Sequence, residues 1–164
     1  MIGIGRLYSV VFTAVTVSAQ QDLFYIKPAA DKICIIEAVY LGVTGGVADA
    51  GDAQEELLDV ELMYVPATVT ASSGGASATP SPVAVNDSAA GFTARVNDTS
   101  KATSSGTIVV RHPDSFNNRI PYVYAPPAEH RELVANAAAI VFRLNTTPAD
   151  ALLLSGDMRV RELP

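Results

Sequence analysis

The chain has 164 residues, 49% of them apolar, and a formal charge of −6. That length suits one domain with a closed core, and no greasy run approaches the ~20 residues needed to cross a bilayer. The lack of clustered Lys and Arg argues against direct nucleic-acid binding, which draws most of its affinity from phosphate neutralisation.

The opening "MIGIGRLYSVVFTAVTVSAQQ" imitates a secretory signal, with Arg6, an apolar run and Val17-Ser18-Ala19 before Gln20. Its side chains point elsewhere. Val10, Val11, Phe12, Thr13, Val15, Thr16 and Val17 are β-branched or aromatic and suit a pleated surface. Residues 7–17 are therefore expected as the first strand of the fold, not as a cleaved export signal. Similar runs recur at 23–26, 32–43, 57–65, 91–96, 107–111, 120–124, 138–144 and 158–163. Turn-formers such as Pro28, Gly45-Gly46, Pro66, Asn97-Asp98, Pro113, Asn117-Asn118 and Pro126-Pro127 are expected between them.

Cys34, the only cysteine, lies in the third run and reads as a small core hydrophobe; alone, it excludes an internal disulfide and a cysteine-based metal site. Residues 33–94 hold eight acids and no Lys or Arg, an acidic face suited to a basic partner. Within it, "ADAGDAQEELLDVEL" predicts a short loop helix capped by Asp52 and feeding a strand. Its cluster of Asp49, Asp52, Glu55 and Glu56 departs from EF-hand spacing and reads as a solvated or partner-facing loop, with a bound calcium ion as the alternative. In the strand that follows, Leu58, Val60, Leu62 and Tyr64 share one parity, against Asp59 and Glu61 on the other, so one side is buried.

Residues 67–90, "ATVTASSGGASATPSPVAVNDSAA", are too small and polar to hold a core. They read either as a disordered surface loop or as an arm that orders against a neighbouring subunit, with Ser72, Ser73, Pro80 and Pro82 among its contact residues. Further on, His112 and His130 are expected in separate loops, as turn and surface residues. No serine sits in a nucleophile elbow and no glycine run carries the Lys of a phosphate loop. Thus no catalytic residue, cofactor or metal is expected. "RIPYVYAPPAEHREL" sets Tyr122 and Tyr124 in alternation before two prolines. These tyrosines either pack one side of a strand into the core or stack on a sugar or protein partner.

Nine short strands joined by long, unequal connections predict an all-β fold, a β-sandwich of jelly-roll type with eight to nine strands. The string "NDSAAGFTARVNDTS", the stretch from "HPDSFNNRIPYVYAPPAEHREL" to "SGDMRVREL", and the opening "YSVVFTAVTVSAQQDLFYIKPAADKICIIEAVYLG" resemble small proteins encoded in tailed-phage structural modules. The resemblance rests on Asp22-Leu23-Phe24, Pro28 with Asp31-Lys32, Glu55-Glu56-Leu57, Gly91-Phe92, Phe116-Asn117, Pro127 with Glu129, Arg143-Leu144, and Ala149-Asp150 with Ser155-Gly156. It implies a non-enzymatic virion component assembled in the host cytoplasm, a jelly-roll head decoration or cement protein. Its partners would be the major capsid protein and, in a homotrimer, itself. A tail- or fibre-associated protein and a carbohydrate-binding jelly-roll module are the alternatives.

Overall fold

The computed structural model of the chain describes residues 5–43, 55–66, 68–135 and 137–164. Four strands come first: β1 (Arg6–Val17), β2 (Gln21–Lys27), β3 (Ile33–Val43) and β4 (Leu57–Val65). Five follow in the middle of the chain: β5 (Val69–Thr70), β6 (Ala76–Ala78), β7 (Ser81–Pro82), β8 (Thr93–Asp98) and β9 (Thr103–Ser104). Then come β10 (Val109–Asn117), β11 (Tyr122–Tyr124), a 3-10 turn at Ala128–His130, β12 (Leu133–Ala135), β13 (Ala139–Leu144) and β14 (Leu152–Leu163).

These strands form two antiparallel sheets and a small ribbon. The first sheet runs β11-β3-β14-β1-β7, with β12 also paired to β3; the second runs β10-β4-β13-β2-β8-β6; β5 pairs β9. Consecutive strands keep changing sheets: β1 lies in the first, β2 in the second, β3 in the first and β4 in the second. The last strand, β14, enters the first sheet between β1 and β3, in register from Arg6↔Glu162 to Val17↔Leu152.

The reason for sheet over helix is visible in the burial. β14 alternates without a break, with Leu152, Leu154, Met158 and Val160 inside and Leu153, Ser155, Asp157 and Arg159 on the other face, the two-residue period of a strand with one covered side. One hydrophobic cluster takes Tyr8, Val10 and Phe12 from β1, Cys34, Ile36 and Leu41 from β3, Leu58, Val60 and Leu62 from β4, and Ile140 and Phe142 from β13. Residues of both sheets therefore share one interior. Gly156 lies opposite Phe12 and Leu41, and a Cβ there would come 2.6 Å from the Phe12 ring.

All nine expected runs coincide with strands, yet the boundaries differ in instructive ways. β14 begins six residues before the expected start at 158. β10 extends through His112 and Pro113, which were expected in a turn. It is an edge strand, bonded only to β4, and a proline is tolerated where its missing N–H faces away from the ladder. Asn97 and Asp98 likewise finish β8 instead of turning the chain. The fourteen strands among the described residues exceed the expected eight to nine, the additions being two- or three-residue pieces. The predicted loop helix falls largely on residues 44–54, outside the described residues; Glu55 and Glu56 are irregular and Leu57 already begins β4.

The expectation for residues 67–90 is corrected most. The described part pairs with its own chain: β5 with β9, β6 with β8, β7 with β1, and Ser73 with Ser100. Its side chains are anchored too. Ser72 Oγ donates to Asp98 Oδ2 at 2.6 Å, Tyr8 Oη donates to the Ser88 carbonyl at 3.0 Å, and Arg6 faces Asp87 at 3.8 Å. Residues between β4 and β10 thus widen both sheets on one flank, and part of them covers the outside of the second sheet. There Tyr25, Met63, Val65, Ala102, Ala139 and Val141 form a second apolar cluster, with Val69 and Ile108 packed against it. This explains why Met63 and Val65 break the polar parity of β4.

Candidate functional site

The expected contact residues do not converge. Asp49 and Asp52 lie outside the described residues. Glu55 is exposed, while Glu56 accepts the Ala149 N–H at 2.9 Å, a loop-tying role at the β10–β4 edge. Ser72 is buried on Asp98, and Ser73 is exposed but held by its backbone to Ser100. Pro80 and Pro82 are half-buried beside β1, Pro82 opposite Tyr8. Tyr122 and Tyr124 are only 4% and 7% exposed. The Tyr122 ring lies between Phe116 and Phe142, at 5.4 and 5.6 Å, and the Tyr124 ring meets His112 at 4.7 Å. They are core tyrosines, with no free face on which to stack a ligand.

Cys34 is fully buried, and burial, reinforced by nearby Glu162, pushes its thiol up to about 12. It is a packed hydrophobe in the chain as folded. Among the described residues no three His, Cys, Asp or Glu side chains gather as metal ligands, and no helix is long and apolar enough to cross a membrane.

What the fold does assemble is an apolar band that turns a corner. It begins in a lateral slot of about 590 Å³ between β1 and β6, walled by Val11, Phe12, Val15, Ala76, Ala78 and Val96, with Gln21, Asn97 and hydroxyl residues completing it. None of its lining side chains is charged. Gln21 and Asn97 are 4% and 7% exposed; Gln21 Nε2 donates to Asn97 Oδ1 at 3.4 Å, and Asn97 Nδ2 has no partner. Asn97 sits at φ 55°, a left-handed conformation that asparagine tolerates better than most residues.

The slot exists because β1 is only partly covered on this side. β7 pairs with it at Tyr8 and Ser9, and the Val83 N–H bonds the Leu7 carbonyl at 2.9 Å. By the strand period the next outward-bonding residue is Val11, which no strand of the described residues covers. Around Ala14, at φ 51°, the pairing with β14 is interrupted by a bulge, and Ala14 N–H bonds Ser155 Oγ at 2.9 Å. The bulge leaves Val15 and Thr16 lining the slot.

From Val11 the band continues across the outer face of the first sheet. Register places Val123, Tyr40, Asp157 and Val11 in one row over β11, β3, β14 and β1. The three apolar members are 58%, 41% and 53% exposed. Asp157 is occupied from the side, accepting Ser9 Oγ at 2.6 Å and Arg159 Nε at 2.8 Å. Below the row, Glu37 is held by Arg161 at 2.5 Å and by Arg131. The face therefore carries apolar side chains on either side of one internally satisfied carboxylate, with the Glu37 ion pairs beside the row.

The two free edges of the sandwich differ. The β10 edge carries Pro113 between Arg111 and Asp114, devices that discourage strand pairing. The uncovered part of β1 and the outer edge of β6 have no proline and no charge. Sequence reasoning missed this side, because β3 is apolar on both parities and nothing in "KICIIEAVYLGV" separates Tyr40 from the core. No family model matches the chain, and no curated protein or solved structure matches it.

Proposed function

We propose that this is a virion structural protein, a head decoration or cement protein that acts by docking against the major capsid protein and other copies of itself. The observation that carries the proposal is the Val123–Tyr40–Asp157–Val11 row: three large apolar side chains about half in water along one line, interrupted by a single carboxylate that Arg159 meets within the subunit, and leading into an uncharged slot. Exposed apolar side chains among polar groups already satisfied within the subunit are what a contact face needs. The resemblance to tailed-phage structural proteins supplies the identity of the partner.

The finer architecture supports the same reading. Setting β5 to β9 aside and taking β11 and β12 as one, the chain order in the first sheet is one-eight-three-six. In the second it is two-seven-four-five. That order supports a jelly roll, with β5 to β9, the six-residue β8 among them, read as an insertion between the fourth and fifth strands. A jelly roll of this kind offers rigid sheet faces and long loops, which suit a shell protein. Tyr122 and Tyr124 being buried removes the sequence basis for a sugar-stacking module.

The test is quantitative mass spectrometry of purified particles of the virus that encodes the chain. The reading expects tens to hundreds of copies per particle, as symmetric assembly requires, and restored binding when purified protein is added to particles stripped of it. Absence from particles overturns it.

A further inference from the structure

The molecule carries a hole without a plug and a plug without a hole. The hole is the β1–β6 slot, about 590 Å³, uncharged, and flanked by two free strand edges. The plug is the turn after β7, where Val83 is 49% exposed and Val85 is 94% exposed. A valine with that much surface in water has no packing role in its own subunit. Its neighbours Ala84 and Asn86 are exposed and uncharged as well.

We propose that the Val83–Ala84–Val85 turn of one copy of this chain inserts into the β1–β6 slot of a second copy, joining subunits head to tail. The chemistry matches on three counts. Both surfaces lack charge, in a chain whose net charge of −6 would otherwise oppose self-association. The slot falls within the roughly 300–1,000 Å³ that takes a drug-sized body, a scale that suits three small residues. An incoming segment also brings backbone groups to the uncovered edge at Val11, continuing what β7 of the same subunit begins at Tyr8 and Ser9. The slot is built from Gly74–Thr79 and the turn starts four residues later, so each subunit offers both on one flank. Such a contact joins unlike patches, and a heterologous contact closes into a ring when its rotation allows. The inference rests on the reading of this chain as an assembly protein, and it is tested on the purified chain with no particle present.

The experiment uses light scattering after size exclusion over a concentration series. The wild-type chain is expected to oligomerise. Val85→Asp in the turn and Thr79→Arg at the slot are each expected to weaken association by about ten- to a hundred-fold, the loss that follows from forfeiting one buried valine. Circular dichroism is expected to be unchanged in both, since Val85 and Thr79 are exposed. Mixing the two variants is the decisive arm. A Val85→Asp copy keeps its slot and a Thr79→Arg copy keeps its turn, so the mixture is expected to recover one interface and form dimers. Cysteine variants give a second readout, because Cys34 is fully buried. Under air oxidation, with oxygen taking up the two electrons and two protons, Val85→Cys mixed with Thr79→Cys is expected to give a mixed disulfide faster than either variant alone couples to itself. A wild-type chain that stays monomeric, or oligomers indifferent to both charges, overturns the inference. If particle binding persists in such a case, the structural role stands without this contact.

Discussion

Asp98 has no solvent exposure, and burial by itself raises the pKa of its carboxyl. Donors outweigh that. Arg95 bonds it through Nε at 2.8 Å and Nη2 at 2.7 Å, Ser72 Oγ at 2.6 Å, and the Gly75 N–H at 2.8 Å, leaving the group below its ordinary value. A carboxylate with a depressed folded pKa contributes stability that is complete above its unfolded value of about 3.9 and is lost as pH falls through the folded value. Acid unfolding monitored by circular dichroism is therefore expected to steepen below about pH 4, and Asp98→Asn is expected to flatten that part of the curve. At neutral pH the same variant leaves the partly exposed Arg95 without its anion, so a loss smaller than the roughly 3–5 kcal/mol of a broken buried pair is expected in urea denaturation. Gly156 makes a different demand. With its Cβ direction filled by the Phe12 ring, Gly156→Ala is expected to cost about 1–3 kcal/mol in urea denaturation. Pairing it with Phe12→Leu is expected to recover part of the loss, a coupling that a double-mutant cycle reads directly. Little of this was legible in the residues alone. Asn97-Asp98 reads as a turn because both residues favour turns, and only the three-dimensional partners of Asp98 show it closing a strand.

At the scale of the element, the long strands were legible and the short ones were not. β1, β3 and β13 announce themselves by β-branched and aromatic residues, which need little beyond a pleated surface to pack on, and β4 by its alternation of apolar and acidic residues. β6 and β7 are Ala-Ser-Ala and Ser-Pro, sequences with no strand preference, and they are strands because β8 and β1 present edges beside them. Tertiary context made them, which is why "ASSGGASATPSP" reads as loop. Elements held this way open first. Hydrogen exchange is expected to run fastest at Ala76–Ala78 and Val69–Thr70 and slowest at β13 and β14, the interior strands of the two sheets. Removing residues 70–85 strips Ser72 and Gly75 from Asp98 and uncovers the β1 and β8 edges. The shortened chain is expected to melt at lower temperature and to aggregate. It is also expected to lose head-to-tail association, because both Val83 and one wall of the slot go with it.

For the whole molecule, burial pattern predicted that an interior would form, but not which exterior would be used. Apolar residues on both parities of β3 and β2 hid the distinction, since a strand covered on two faces and a strand with one sticky face have the same letters. Tyr40 separates from Leu41 only once β14 and β11 fix its register. A charge placed on the row tests its role without touching the core. Val123→Lys is expected to leave stability within about 0.5 kcal/mol, as is usual for exposed positions, while abolishing retention on particles in a sedimentation assay. Unchanged retention would move the contact face elsewhere on the sandwich.

One consequence follows from where β14 lies. The strand at the centre of the first sheet starts at Leu152, whereas its two neighbours, β1 and β3, end at Val17 and Val43. During translation both wait with greasy flanks and nothing between them until β14 has emerged. Distant pairings of this kind slow folding and leave a newborn chain exposed to its siblings, so a cell making many copies at once has good use for chaperones in the interval.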